Sequence, residues 1–183
     1  MEHQMAKEKN DNQERIAALA KSAENVAFVL KKGEISVSDD LVFMYTADVL
    51  NALGAHTAKG EPYKAWGSGL AHINDGRCVW FPHLDRSAES NNNWHNIFVN
   101  SEHITETYQG RELDNIWQER ARAFDAKHPV RYLVFANFKN EKGYEYLGTF
   151  EMAGYDYAQR PYKTFWKRVE TSAKVCGISK DKR

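Results

Sequence analysis

Trp94 and Asn96 are the pair in this chain best suited to holding a flat polar ligand. The indole ring offers a stacking face, worth about 1–3 kcal/mol per nucleic-acid base. The asparagine amide donates and accepts together, which suits a Watson–Crick edge. The competing reading puts Trp94 in the core and Asn96 against a loop carbonyl. Tyr155 and Tyr157 flank Asp156. That set either lines a pocket in which Asp156 accepts from an exocyclic amine, or forms an Asx-type turn with surface tyrosines. Tyr144 and Tyr146 share one face of a predicted strand, where they line a groove or cover a core edge. Trp80 and Phe81 read first as core.

Arg160, Lys163, Lys167 and Arg168 are the candidates for phosphate contact. Formal net charge is +0, so attraction to a polyanion has to come from a local patch. From Ala158 to Arg183 basic residues dominate, with Glu170 and Asp181 the acids there. The plain alternative is a solvated, charged surface. On a strand, Lys167 shares a face with Phe165, and Arg168 with Trp166, so the two do not meet on one phosphate.

Other chemistries lack their spacing. His72, His83, His95 and His103 fall in one region but match no zinc or nuclease signature. Asp125-Ala126-Lys127 fits the short acid-x-lysine element of nucleases, yet it ends a predicted helix, whereas that element belongs on a strand. Gly67-Ser68-Gly69 is too short for a phosphate loop and lacks the lysine. No serine or cysteine sits in a nucleophile motif. Cys78 and Cys176 are far apart and fit no metal spacing; each reads as a small buried hydrophobe or a surface thiol. The residues therefore predict no catalytic group, no metal and no cofactor.

The elements that position these side chains follow from periodicity. Residues 1–12 read as a disordered tail, 13–176 as one α+β domain and 177–183 as a basic tail. Ile16, Leu19, Ala23, Val26 and Leu30 recur at helical steps and predict a helix buried along that stripe, stopped at Lys31-Lys32-Gly33. Ser38 reads as the N-cap of a second helix running to Leu53. Residues 56–76 form a loop. Cys78–Phe81 and Trp94–Val99 read as strands, with Ile104 on a partner and Asp85–Asn93 a polar connection. Leu113, Ile116, Trp117, Arg120, Ala121 and Phe124 line one side of a helix over Arg111–Lys127, Arg120 laying its stem along that face. Tyr132–Phe138 and the strand from Tyr144 form a hairpin around Asn140–Gly143, with Gly148 marking a bulge or a close approach. A loop over Gly154–Pro161 and a strand over Thr164–Val169 follow. Two helices before any sheet favour a helical cap beside a β core. The start of the chain has no apolar signal segment and no stretch approaches a membrane helix, which predicts a cytoplasmic protein without a membrane partner.

The runs Arg131–Ala136, Gly143–Met152 and Phe165–Val169, preceded by Trp94–Phe98 and Ile104–Glu106, resemble the closing hairpin of SRA-like domains of the PUA-like superfamily. Such domains occur in modification-dependent restriction systems and in readers of modified DNA. The resemblance implies a strongly bent β-sheet or partial barrel with flanking helices, and a cleft able to hold a flipped or modified base. The expected activity is non-catalytic binding of DNA or RNA. The rival expectations are a metal-dependent nuclease, favoured by loss of activity with a chelator, and a protein- or nucleotide-binding factor of phage or bacterial defence, favoured by a co-purifying protein partner.

Overall fold

The computed structural model describes residues 2–85 and 94–177. α1 (Glu2–Lys32) is followed by β1 (Glu34–Ser36), a 3-10 turn at Val37–Asp39, β2 (Val42–Phe43) and α2 (Thr46–Ala52). The short strands β3 (Leu70–His72), β4 (Cys78–Trp80) and β5 (His83–Asp85) lead to β6 (Trp94–Asn100) and β7 (His103–Tyr108). α3 (Asp114–Asp125) precedes β8 (Arg131–Phe138), β9 (Tyr144–Asp156), β10 (Tyr162–Glu170) and β11 (Ser172–Lys174). Beyond Asp85 the predicted polar connection, and the predicted basic tail beyond Gly177, lie outside the described residues.

Among the described residues, nine strands form one sheet in the order β2-β9-β10-β7-β6-β5-β8-β4-β3, and β8 also pairs with β9. That extra pairing closes six strands, β9-β10-β7-β6-β5-β8, into a barrel. The predicted α+β class and barrel-like sheet are what the chain forms. β1 and β11 pair separately beside the helices.

β8 explains the arrangement. Tyr132, Val134, Ala136 and Phe138 face a barrel core with Ile104, Phe150, Met152 and Trp166. Leu133 and Phe135 face a second core with Val29, Phe43, Leu50, Leu53 and Tyr146, under the helices. A strand buried on both faces needs apolar residues at every position, so its alternation in the sequence is weak.

Four local expectations are corrected. α1 is turned away from its predicted stripe: Ile16 is 59% exposed and Leu30 41%, while Ser22, Asn25 and Val29 are buried. The polar face wins because its groups close backbone ends. Ser22 donates to Asp48 at 2.7 Å and accepts from the Met44 amide at 2.9 Å; Asn25 donates to the Val42 carbonyl at 2.8 Å. α1 also runs back to Glu2, through residues predicted as a disordered tail; the Glu, Lys, Gln and Ala there have good helix propensity. The predicted second helix is divided. Ser36 and Asp39 cap the start of a 3-10 turn reciprocally, Asp40 ends it by turning left-handed at φ 52°, and α2 starts only at Thr46. β9 continues through Gly154 to Asp156 where a loop was predicted, because β10 pairs with it residue by residue to Asp156.

Two phenols give this packing a pH signature. Burial pushes Tyr146, against Phe135 in the helical core, from its ordinary value of 10.0 up to about 12. Burial likewise pushes Tyr157 up to about 12, although its hydroxyl shares a 2.7 Å hydrogen bond with Thr164. Below the ordinary tyrosine value neither state ionises them. Between pH 10 and 12 the unfolded chain loses these protons and the folded chain keeps them. Stability is therefore expected to fall across that window as pH rises. Spectrophotometric titration should show two late-titrating tyrosines, and Tyr146→Phe should remove one of them.

Candidate functional site

α3 carries an apolar face with one cation in it, and that face closes on the barrel. Trp117 packs its ring 5.6 Å from Tyr108 and 5.5 Å from Tyr157, measured between centroids. One turn on, Arg120 reaches the inner faces of β7, β8 and β10. Its guanidinium lies 4.7 Å from the Trp117 ring, 5.3 Å from Trp166 and 5.7 Å from Tyr132. It donates to Glu106 at 2.9 Å and to the Tyr132 hydroxyl at 3.3 Å. Trp166 donates its indole N–H to the same Glu106 oxygen at 3.0 Å. Arg120 and Glu106 are both buried, so this is an ion pair withdrawn from water.

Beside that pair a cleft of about 600 Å3 opens, within the range of small-ligand sites. Trp80, Phe81, Trp94, Leu113 and Ile116 are its apolar walls; Asn96, Glu106 and Arg120 are polar groups in it, with Ser68 and His83. Asn96 and Glu106 face each other across β6 and β7 in direct register. Asn96 is 9% exposed, and its buried Oδ1 has no hydrogen-bond partner among the described residues. A buried carbonyl oxygen left without a donor is costly and points to a group supplied from outside. Trp94 is 38% exposed, with its ring 4.4 Å from Tyr108 and 5.6 Å from Trp117. It is anchored by an aromatic stack and remains partly exposed.

Burial raises the Glu106 carboxyl above its ordinary value, while the Arg120 charge and the Trp166 N–H pull it down. The phenol of Tyr132 is raised by burial. In this water-poor cleft, the protonation state of Glu106 decides whether it accepts or donates.

The sequence brought Trp94 and Asn96 forward, and they meet in this cleft. The other candidates lie elsewhere. Tyr144 lines an adjoining cavity of about 440 Å3 that shares Phe81 and His83 with the cleft. Tyr146 is buried in the helical core, its hydroxyl without a partner among the described residues. Tyr155 donates to Asp125 at 3.0 Å, and Asp156 accepts from the Ala158 amide at 3.2 Å in a local turn. Arg160 holds Asp114 through two bonds of 2.5 and 2.6 Å and donates to the Gly110 carbonyl, next to the start of α3. Lys163 and Lys167 stand on the outer face of β10 with Phe165, opposite Asp156 and Glu151 of β9, while Thr164 and Trp166 face inward. Arg168 shares the inward face with Trp166, against Gly148. Cys78 is half-buried and Cys176 buried, its thiol 3.3 Å from Asp75. Among the described residues, no three histidine, cysteine, aspartate or glutamate side chains converge as a metal site.

Glu106 and Arg120 were not singled out as site residues. Their signal was present: Glu106 alternates with Ile104 and Tyr108 on the buried face of a strand, and Arg120 sits on the apolar face of a helix. Opposite charges, each on the buried face of its own element, mark a buried ion pair.

A closed barrel with a helix across its inner face and a polar-aromatic cleft between them is a PUA-like binding architecture. The family model of the SRA domain, described as SET and RING associated, matches residues 28–175, and the chain belongs to that family. The match extends well before Trp94, where the resemblance seen in the sequence began. Among solved structures, "The 5-Hydroxymethylcytosine-Specific Restriction Enzyme AbaSI" shares the fold at a TM-score of 0.60 and 23% identity. The likeness covers 81% of this chain and 44% of that one, so the chain spans less than half the length of that enzyme. No curated protein sequence matches it. No helix among the described residues is long and apolar enough to cross a membrane.

Proposed function

We propose that the chain binds DNA and reads a modified cytosine turned out of the helix into the cleft beside α3. The observation that carries this reading is the pairing of Asn96 Oδ1, buried and without a donor among the described residues, with the Glu106 carboxyl directly across β6 and β7. Two converging acceptors suit the exocyclic amino group of cytosine and repel the keto oxygen at the same position of thymine. Trp94 supplies the stacking face. Membership of a family whose domains bind DNA supports the reading, as does a fold shared with an enzyme specific for 5-hydroxymethylcytosine. Recognition of this kind needs no catalytic group. Of the basic residues near the C-terminus, Arg160 is held by Asp114 and the Gly110 carbonyl and orders the segment that leads into α3 beside the cleft. Lys163 and Lys167 face away.

The test is a fluorescence titration with duplexes carrying 5-hydroxymethylcytosine or plain cytosine at one position, at two salt concentrations. Tighter binding of the modified duplex, weakened by salt, is the expected result. Trp94→Ala should weaken it by about 1–3 kcal/mol, roughly 5- to 150-fold, with little loss on plain DNA. Equal affinity for both duplexes in both proteins would remove the modified-base reading.

A further inference from the structure

Arg120 is more constrained than an arginine needs to be to satisfy a carboxylate. Three aromatic rings surround it, Tyr132 takes a second N–H, and its Nε has no partner among the described residues. Both Arg120 and Trp166 donate to a single oxygen of Glu106, Oε2. Glu106 lines the cleft and stands opposite Asn96, so the other oxygen, Oε1, is available to a ligand. A buried carboxylate whose cation is removed takes up a proton, and a carboxylic acid donates where a carboxylate accepts. The two forms read opposite bases. The carboxylate takes the amino group of a cytosine; the acid gives its proton to the keto oxygen of a thymine or uracil.

We propose that Arg120 is the positioning residue that sets the base preference of this cleft, by holding Glu106 as a hydrogen-bond acceptor. It rests on the reading of the cleft given above and names what makes that reading selective for amino-bearing bases. The groups around Glu106 are Arg120 from α3, Tyr132 from β8, Tyr157 beyond β9, Trp166 and Thr164 from β10, Asn96 from β6 and Cys78 from β4. The two phenols and the thiol all lie above their ordinary values and stay neutral in the range that matters. His83 also lines the cleft, but it is common to every variant. The comparison between variants therefore isolates Arg120.

The experiment measures binding of two duplexes, identical except for 5-hydroxymethylcytosine or 5-hydroxymethyluracil at one position, from pH 5 to pH 9. The wild type should prefer the cytosine by about tenfold or more at neutral pH and lose the preference on acidification. Arg120→Gln should abolish the preference at neutral pH and recover it toward pH 9, a return that damage to folding would not produce. Arg120→Lys, which keeps the charge but not the reach, should retain the preference with its midpoint moved to higher pH; it carries the test if the glutamine variant does not fold. Glu106→Gln, unable to ionise, should bind both duplexes alike at every pH. A wild type that binds neither duplex overturns the reading of the cleft itself. Equal wild-type binding of the two duplexes overturns the acceptor role of Glu106 and the proposal with it. A wild-type preference that both Arg120 variants reproduce with the same pH profile overturns the role of Arg120 alone.

Discussion

Arg120→Met is expected to destabilise the fold by about 3–5 kcal/mol, measured by urea denaturation at neutral pH. The change keeps most of the side-chain volume and removes the charge, so the loss reports on Glu106 rather than on a cavity. Glu106 is 1% exposed, and without Arg120 its carboxylate has no compensating cation among the described residues. The pH dependence gives the cause away. Burial already holds this carboxyl above its ordinary value, and removing Arg120 raises it further. A carboxyl raised in the folded state costs nothing while both states are protonated, and exerts its full penalty once pH passes the folded value. The variant should therefore approach the wild type in acid and fall furthest behind at neutral and alkaline pH. Arg120→Met combined with Glu106→Leu should recover a large part of the loss, because no unpaired charge remains. What stays lost is the acceptor for Trp166 and the tie to Tyr132. A double variant as unstable as the sum of the singles would mean the two residues act independently, contrary to the 2.9 Å contact.

Gly148→Ala is expected to be comparably harmful, at about 2–5 kcal/mol, through backbone strain and overpacking together. Gly148 has φ 118°, which side chains other than glycine rarely adopt. A methyl group there would lie 2.5 Å from the Glu170 carbonyl oxygen and 2.7 Å from Arg168 Cδ. Arg168 can swing away, but the carbonyl belongs to β10 and cannot move without its strand. Register breaks on both sides of this point, between Val134 and Phe135 on β8 and between Arg168 and Glu170 on β10. The bulge bends β9 enough to pair with β8 and β10 and close the barrel. Thermal denaturation should show a lowered midpoint for Gly148→Ala. A comparable midpoint would mean that the strand relaxes at little cost, and that the bulge does not hold the closure.

Much of this molecule was legible before folding. The positions of β4, β6, α3, β8, β9 and β10 follow from apolar runs and from period-two and period-3.6 patterns, and the Asn140–Gly143 turn from its composition, whereas β5 and β11 were too short to read. The family resemblance came from residues 94–169, where strands pair with near neighbours and their pattern is local. Trp94 and Asn96 could be picked out because an aromatic and an amide on one short strand announce themselves by type. The α1 face could not be read, since its apolar stripe competes with Ser22 and Asn25, and only the positions of Met44, Val42 and Asp48 decide for the polar side. The scatter of Tyr144, Tyr146, Tyr155 and Asp156 away from the cleft was equally hidden, because strand alternation assigns a face but not what covers it.

By itself the sequence determined the α+β class, the hairpin and two side chains of the cleft, all of which depend on residues close together in the chain. The tertiary structure alone decided that Glu106 and Arg120, on different elements, are one buried pair, and that this pair stands opposite Asn96. Charge in water is an ordinary surface feature; the same charge buried in the protein has to find its partner there, as Arg120 and Glu106 do, and enclosure is a property of the fold.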